Sequence, residues 1–414
     1  MKTCALALAF AVWSVGTEAP AAAQTFTYRG FVDLRGLVFP QDSPQEDTHV
    51  VGDMLARGEV FYNPTSWIHV AFGLDARANS DNQVDPSFGL DMRDRLALRP
   101  SLSLRRLSAT LTRGPLTTDV GKQFIRWGKT DVITPTDRFA PKDYLYVIDG
   151  EFLPVTGVRP VLQWGSNTID VPFVPRLTPD RTPLLDQRWT IVPAALAGVR
   201  ATAVAVAANV PRDCQAGVRW SHTGSYEYSL SFFDGLDYRP NLQISTRPEV
   251  PAIEIAKQYP HIQSYGADAA VPTRWFTVKT EAAYVTSSTP HTDEYVLYVI
   301  ELERQSGEWV FVGGYAGEVV TASRGQVAFA PDRGLARALV GRASYTIDTN
   351  RRVAVESAVR QNGRGVYANA EYSQARGQHW RVTLNVAVIA GSEGDFLGQY
   401  RQNSYGALAL RYSF

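Results

Sequence analysis

The chain has 414 residues, and its 41 Lys plus Arg are balanced by 41 Asp plus Glu, so the formal net charge is zero. That balance leaves no basic footprint for nucleic acid, and no stretch after residue 24 is long and apolar enough for a transmembrane helix. Aromatics are plentiful, with 19 Tyr, 18 Phe and 9 Trp, and the cations are lopsided, with 6 Lys against 35 Arg.

Residues 1–23 read as a secretory signal peptide. Lys2 supplies a short positive region, Cys4 to Val15 an apolar run too short to span a bilayer, and Ala21-Ala22-Ala23 a small-residue cleavage site before Gln24. An exported chain without a membrane-spanning helix is periplasmic, secreted or a β-barrel. Residues 24–414 then show alternating, period-2 segments throughout. Strands are predicted at about 26–38, 53–62, 66–78, 102–112, 117–127, 158–165, 167–174, 215–222 and 225–234. More follow at about 261–271, 273–285, 294–304, 307–319, 335–347, 351–361, 364–374, 378–389 and 404–414. The cleanest sets Trp380, Val382, Leu384, Val386 and Val388 against Arg381, Thr383, Asn385 and Ala387. Charged residues stand in mid-strand on the polar faces, among them Glu281, Glu301, Glu356, Arg342, Arg352 and Arg381. In a soluble sandwich the apolar face points inward; in a barrel it meets lipid and the polar face lines a lumen. Asp348-Thr349-Asn350 reads as a tight turn and 392–403 as a longer loop, the contrast between short inner turns and long outer loops.

One stretch, near 128–190, reads as an irregular Pro-rich insert. Long structureless segments are usually functional or disordered. The run leading into it is Gly121-Lys122-Gln123-Phe124-Ile125-Arg126-Trp127-Gly128-Lys129-Thr130-Asp131, and it continues through Thr134-Pro135-Thr136-Asp137-Arg138 and Pro141-Lys142-Asp143-Tyr144 to Val171-Pro172-Phe173-Val174-Pro175. These residues resemble a large group of proteobacterial-type outer-membrane barrels related to alginate-export proteins. Its members carry a Gly-Arg-Gln strand, a Trp-Gly-Lys-x-Asp turn, an Asn-Pro-x-Asp-type loop and an apolar strand ending Val-Pro-Phe-x-x-Pro. Tyr265-Gly266-Ala267-Asp268 and Glu281-Ala282-Ala283-Tyr284 look like the group's paired later strands. Lys122 and Thr134 depart from the pattern, standing where Arg and Asn are usual. The resemblance implies an outer-membrane barrel and hints at transport, without fixing a solute.

Lys122, Arg126, Lys129, Arg138 and Lys142 alternate with Asp131, Asp137 and Asp143. Folded inward, the segment would set both charge signs across a lumen and narrow it, as porins do to screen solutes. A solvated outer loop is the other reading, and Trp127 would then be a strand end in the aromatic girdle. Arg342, Arg352, Arg360 and Arg381 are expected to line the opposite wall.

The chain closes on Leu408, Leu410, Tyr412 and Phe414, all on one face of an extended strand. A terminal Phe of this kind resembles the last strand of outer-membrane barrels, where it is read by the barrel-assembly machinery. The expected fold is therefore all-β: a transmembrane antiparallel β-barrel of about 18 strands, with 16 possible. The expected site is the bacterial outer membrane, and the expected role a porin-like channel or transporter for small polar or anionic solutes, saccharides or amphipathic compounds. Lipid and the assembly machinery are the expected partners, and no cofactor is expected. The alternatives are an outer-membrane barrel enzyme and a soluble periplasmic β-sandwich binding protein. No nucleophile, metal-spacing or phosphate-loop motif appears, so no catalytic residue or metal ligand is assigned. His69 with Asp75, and Ser221 beside His222, are the nearest approaches to one.

Overall fold

The computed structural model describes residues 25–191, 203–208, 210–247, 252–324 and 329–414; the expected signal peptide lies outside them. The period-2 segments form one closed antiparallel sheet. Its first six strands are β1 (Thr25–Val38), β2 (Val50–Thr65), β3 (Ile68–Asn79), β4 (Leu102–Arg113), β5 (Leu116–Gln123) and β6 (Val155–Trp164). Next comes β7, in two pieces (Asn167–Asp170 and Phe173–Val174), then β8 (Gln215–Thr223), β9 (Glu227–Leu236), β10 (His261–Pro272), β11 (Thr277–Ser287) and β12 (Glu294–Ser306). The last six are β13 (Trp309–Ala322), β14 (Ala338–Asp348), β15 (Arg351–Arg360), β16 (Gly365–Arg376), β17 (Trp380–Gly391) and β18 (Tyr405–Ser413). Strand β7 breaks at Val171-Pro172, where proline offers no N–H to the ladder; the Val171 N–H bonds back to the Pro160 carbonyl at 3.0 Å.

Each strand pairs with its sequence neighbours, and β1 closes the cylinder on β18 from Phe31↔Ser413 to Val38↔Gly406. Eighteen strands bring both ends of the barrel to the same rim. There Phe414 exchanges two backbone hydrogen bonds with Gly30, at 2.9 and 3.0 Å. The connections on that rim are tight: 66–67, 114–115, 165–166, 307–308 and 349–350. Gly114, Gly165 and Gly307 sit in these turns with φ of 57°, 54° and 57°, a region that costs other residues energy. The opposite rim carries the long connections, 39–49, 80–101, 124–154, 175–214 and 237–260 among them. Short turns inside and long loops outside set the orientation.

The apolar faces look outward. Leu384, Val386 and Val388 are 50%, 55% and 50% exposed, where a soluble sandwich would bury them. Closure together with this exposed apolar face excludes the sandwich. Trp67, Trp164, Trp275, Trp309 and Trp380 all stand exposed beside tight turns, a girdle at the inner interface. Trp127 does not belong to it. It is 2% exposed, because the chain leaves the wall at Gln123 and not near 127. Strand β14 likewise begins at Ala338 and not at 335, since a short helix, Pro331–Gly334, precedes it.

Candidate functional site

The ladder between β5 and β6 ends at Gln123↔Val155, and the chain between them, 124–154, folds into the barrel. Apolar side chains explain why it stays there. Ile125, Trp127, Ile133 and Phe139 are buried against Phe233, Ile262, Val285, Leu297 and Val299 from β9–β12. Trp127 meets Phe139 edge to face at 5.2 Å, and Phe139 meets Phe233 in the same way at 5.1 Å. The wall makes room with glycine: a Cβ on Gly217 would lie 2.8 Å from the Trp127 ring, and one on Gly266 2.8 Å from Thr136.

Wall carboxylates satisfy the backbone of the loop. Glu281, buried, accepts from the N–H groups of Lys129 (2.8 Å), Thr130 (3.1 Å) and Thr136 (2.7 Å), and from both threonine hydroxyls. Glu301 accepts from the Asp131 N–H at 3.0 Å. The loop braces itself through Asp137, which accepts from the N–H groups of Trp127 and Gly128 at 2.6 and 2.7 Å.

The far end of the loop is tied across the lumen. Glu151 accepts from Arg57 of β2 (2.6 Å), Arg77 of β3 (2.5 Å) and Arg105 of β4 (2.8 Å), and Asp149 pairs with Arg35 of β1 at 3.0 Å. Burial raises the Glu151 carboxyl, but the three guanidiniums outweigh it and hold the group at about 2. Asp143 also lies well below the ordinary range despite its burial, since Arg99 and Arg181 both grip it. The segment thus spans the barrel from the β10–β12 wall to the β1–β4 wall.

Beside it remains a cavity of about 700 Å³. Arg35, Arg57, Arg77, Arg99, Arg381 and Arg411 line it, with Asp33, Asp53, Asp149, Glu151, Glu356 and Glu371. Nearer the tight-turn rim, a further cavity of about 490 Å³ is lined by Arg29, Arg57, Arg105, Arg106 and Glu59, with Phe31 and Phe124; Arg29 pairs with Glu59, and Arg57 and Arg105 reach Glu151.

Of the residues singled out from sequence, Arg381 borders the large opening. Arg342 lies opposite Glu356 in the β14–β15 ladder, Arg352 donates to Ser344 at 2.9 Å, and Arg360 is paired with Asp395 at 3.1 Å. The cluster at 122–143 forms the framework of the loop. Arg126 pairs with Asp137 at 2.8 Å and stacks on Phe152. Lys129 reaches Glu227 at 2.8 Å and Asp268 at 3.6 Å, while Asp131 meets Lys279 at 3.2 Å. The carbonyl of buried Arg138 accepts from Tyr238, and Lys142 lies 3.6 Å from Asp332. Lys122 stands opposite Leu107 on the outward face of β5, buried and 2.6 Å from Asp94. The sequence reading missed Arg35, Arg57, Arg77, Arg105 and Glu151. The signal for the first three was present as Asp33/Arg35, Asp53/Arg57 and Asp75/Arg77, charges two or four apart in three successive strands.

The histidine pairs do not assemble. His69 Nδ1 lies 2.7 Å from Asn63 and Asp75 is held by Arg57, while His222 stacks on Tyr228. Among the described residues no group of His, Cys, Asp and Glu could hold a metal.

No protein-family model matches the chain. No curated protein sequence matches it either. Several solved structures are similar. OccAB4 of Acinetobacter baumannii aligns with a TM-score of 0.55 at 11% identity, covering 95% of this chain and 99% of that one. The BenF-like porin from Pseudomonas fluorescens Pf-5 aligns with a TM-score of 0.55 at 9% identity, over 95% and 98%. The outer-membrane protein OpdK from Pseudomonas aeruginosa aligns with a TM-score of 0.52 at 10% identity, over 94% and 99%. At such identities the likeness is one of fold, and it runs the whole length: this chain has the architecture of an outer-membrane porin barrel.

Proposed function

We propose that the chain is a porin-like channel of the bacterial outer membrane that passes small polar solutes and favours anions. The observation that carries this is the opening beside the fold-in segment. It is lined by charge of both signs, with arginine in excess on the way to the tight-turn rim. Opposed charges across a narrow passage orient a polar solute, and net positive lining admits anions ahead of cations. The outward apolar band and inner tryptophan girdle support the outer-membrane setting. The paired end at Phe414 supports recognition of the last strand by the assembly machinery. Kinship with the alginate-export-related group belongs to the same proposal and rests on the motif blocks around Trp127, Gly266 and Glu281.

Planar-bilayer recording of the purified, refolded chain tests the reading. An ohmic pore with anion preference is expected. Arg381→Gln should move the reversal potential toward cations, because Arg381 borders the opening. Vanillate, the small aromatic carboxylate in one OpdK structure, is a natural first solute; millimolar amounts should interrupt the current. Inserted protein that conducts nothing would overturn the proposal.

A further inference from the structure

The barrel wall is incomplete at its outer end between β4 and β5. Strand β5 pairs with β4 only from Arg113 up to Leu107 and stops at Gln123, while β4 continues to Leu102. A piece of the 80–101 connection fills the notch. Leu90 and Asp91 run parallel beside Leu102 and Ser103. The Met92 carbonyl accepts from the Lys122 ammonium at 3.0 Å, and Asp94 takes the same ammonium on one side and Arg181, from inside, on the other. The piece covers the outside of the wall. Leu104 shares the outward face of its partner Leu74, yet it is only 4% exposed.

What this piece presents outward is unusual for a loop. Phe88, Leu90, Met92 and Leu96 are 89%, 51%, 54% and 45% exposed. Leu90 pairs beside Leu102 of the outward-facing row, and Phe88 and Met92 flank it two residues away on either side. Around them stand Arg93 and Arg95 on the same piece, Arg176 just beyond the end of β7 and Arg212 just before β8. Among the described residues none of the four makes an ion pair. Desolvation and the charges of Arg176, Arg93 and Arg212 push the Arg95 guanidinium down, with no carboxylate opposing them. Asp91, on the same piece, accepts from the N–H groups of Arg93 and Asp94, and the Asp94 carboxylate is taken up by Lys122 and Arg181. An exposed apolar strip beside clustered, uncompensated arginines fits one kind of partner: acyl chain below, phosphate above.

We infer that residues 88–96, with Arg176 and Arg212, form a docking site for a phosphorylated lipid of the outer leaflet. The acyl chains lie along Phe88, Leu90 and Met92, and the phosphates between the four guanidiniums. The site is on the outside of the barrel and does not depend on conduction.

The test uses the full chain refolded in detergent, titrated with bis-phosphorylated lipid A and read by native mass spectrometry. Correct folding of each variant is checked by heat-modifiable migration. Replacing Arg93, Arg95, Arg176 and Arg212 together by Gln should weaken retention of lipid A at least tenfold. Dephosphorylated lipid A should bind wild type and variant alike. A second variant, Phe88→Ser with Leu90→Ser and Met92→Ser, keeps the arginines and should also lose the lipid. Inorganic phosphate at tenfold excess should not displace lipid A from wild type. Equal retention by wild type and the arginine variant, or displacement by inorganic phosphate, would overturn the assignment.

Discussion

Replacing Glu151 by Gln should loosen the inner end of the constriction. The carboxylate accepts from three guanidiniums on three strands, at 2.6, 2.5 and 2.8 Å. Gln keeps the shape but removes the charge and turns an NH₂ toward two or more cations. The carboxyl is held at about 2 against an ordinary 4.5, and at about 1.4 kcal/mol per pKa unit that is ~3 kcal/mol of attraction. The side chain is 32% exposed, so screening trims this to ~2 kcal/mol. An energy of ~2 kcal/mol shifts a pinned-to-free equilibrium about 30-fold. Single-channel recording should therefore show a steady wild-type current, whereas Glu151→Gln should flicker between the wild-type level and a larger one. The same group sets a pH window. Because its folded pKa is depressed, its contribution is complete above about 4.5 and is lost as pH falls through about 2. The wild-type trace should hold from neutral pH to about 4. Traces from Glu151→Gln that match wild type in level and noise would refute this account of the loop.

Glu281→Ala should release the other end, since five donors lose one buried acceptor; the cost is about 3–5 kcal/mol, and trypsin should then cut after Lys129 in the refolded variant, a cleavage absent from the wild-type digest. Deleting Phe414 removes two closing hydrogen bonds with Gly30 and the terminal ring, so yield in the outer membrane should fall while export to the periplasm continues; a normal outer-membrane yield would count against that role. Asp81, in the 80–101 connection, is pushed up to about 7 by burial and by the neighbouring Glu46. A raised carboxyl pKa means stability declines as pH rises from about 4 to about 7 and is level above, so the protection factors of amides in 80–101, corrected for the base-catalysed intrinsic rate, should fall from pH 5.5 to 7.5 in wild type and stay level in Asp81→Asn.

The strands were legible because the lipid side of a barrel leaves a one-dimensional trace. Leu384, Val386 and Val388 must each be apolar, and Thr383, Asn385 and Ala387 between them need not be, so alternation survives without any knowledge of partners. Strand ends were less legible. The 117–127 prediction overran β5 because Phe124, Ile125 and Trp127 are as apolar as lipid-facing residues, yet Ile125 and Trp127 pack against the inner wall and Phe124 lies under the Arg105 and Arg106 guanidiniums. Periodicity records how apolar a position is and not which side of the sheet covers it. The charge cluster at 122–143 was visible, but its role depended on distant partners. Nothing local to Lys129 says that Glu227, Asp268 and Glu281 will meet it from three other strands.

That asymmetry explains what the motif blocks record. Trp127, Gly128, Lys129 and Asp137 contact one another or the wall at Gly217, Asp268 and Glu281, and Thr136 fills the space that Gly266 leaves. Each is constrained twice, by a specific partner and by close approach, so residue identity there is narrow and reads as a motif. The passage itself is bordered by Arg35, Arg57, Arg381, Arg411 and their acids, which stand on regular strands with water on one side. A long charged side chain facing a cavity needs only an inward position, and every second residue of a strand supplies one. The loop that narrows this barrel is therefore written in motifs, while the charge that would choose a solute is written only in the spacing of arginines and carboxylates along the strands. Exchanging those charges should alter selectivity without disturbing the loop, and changing the motif residues should do the reverse.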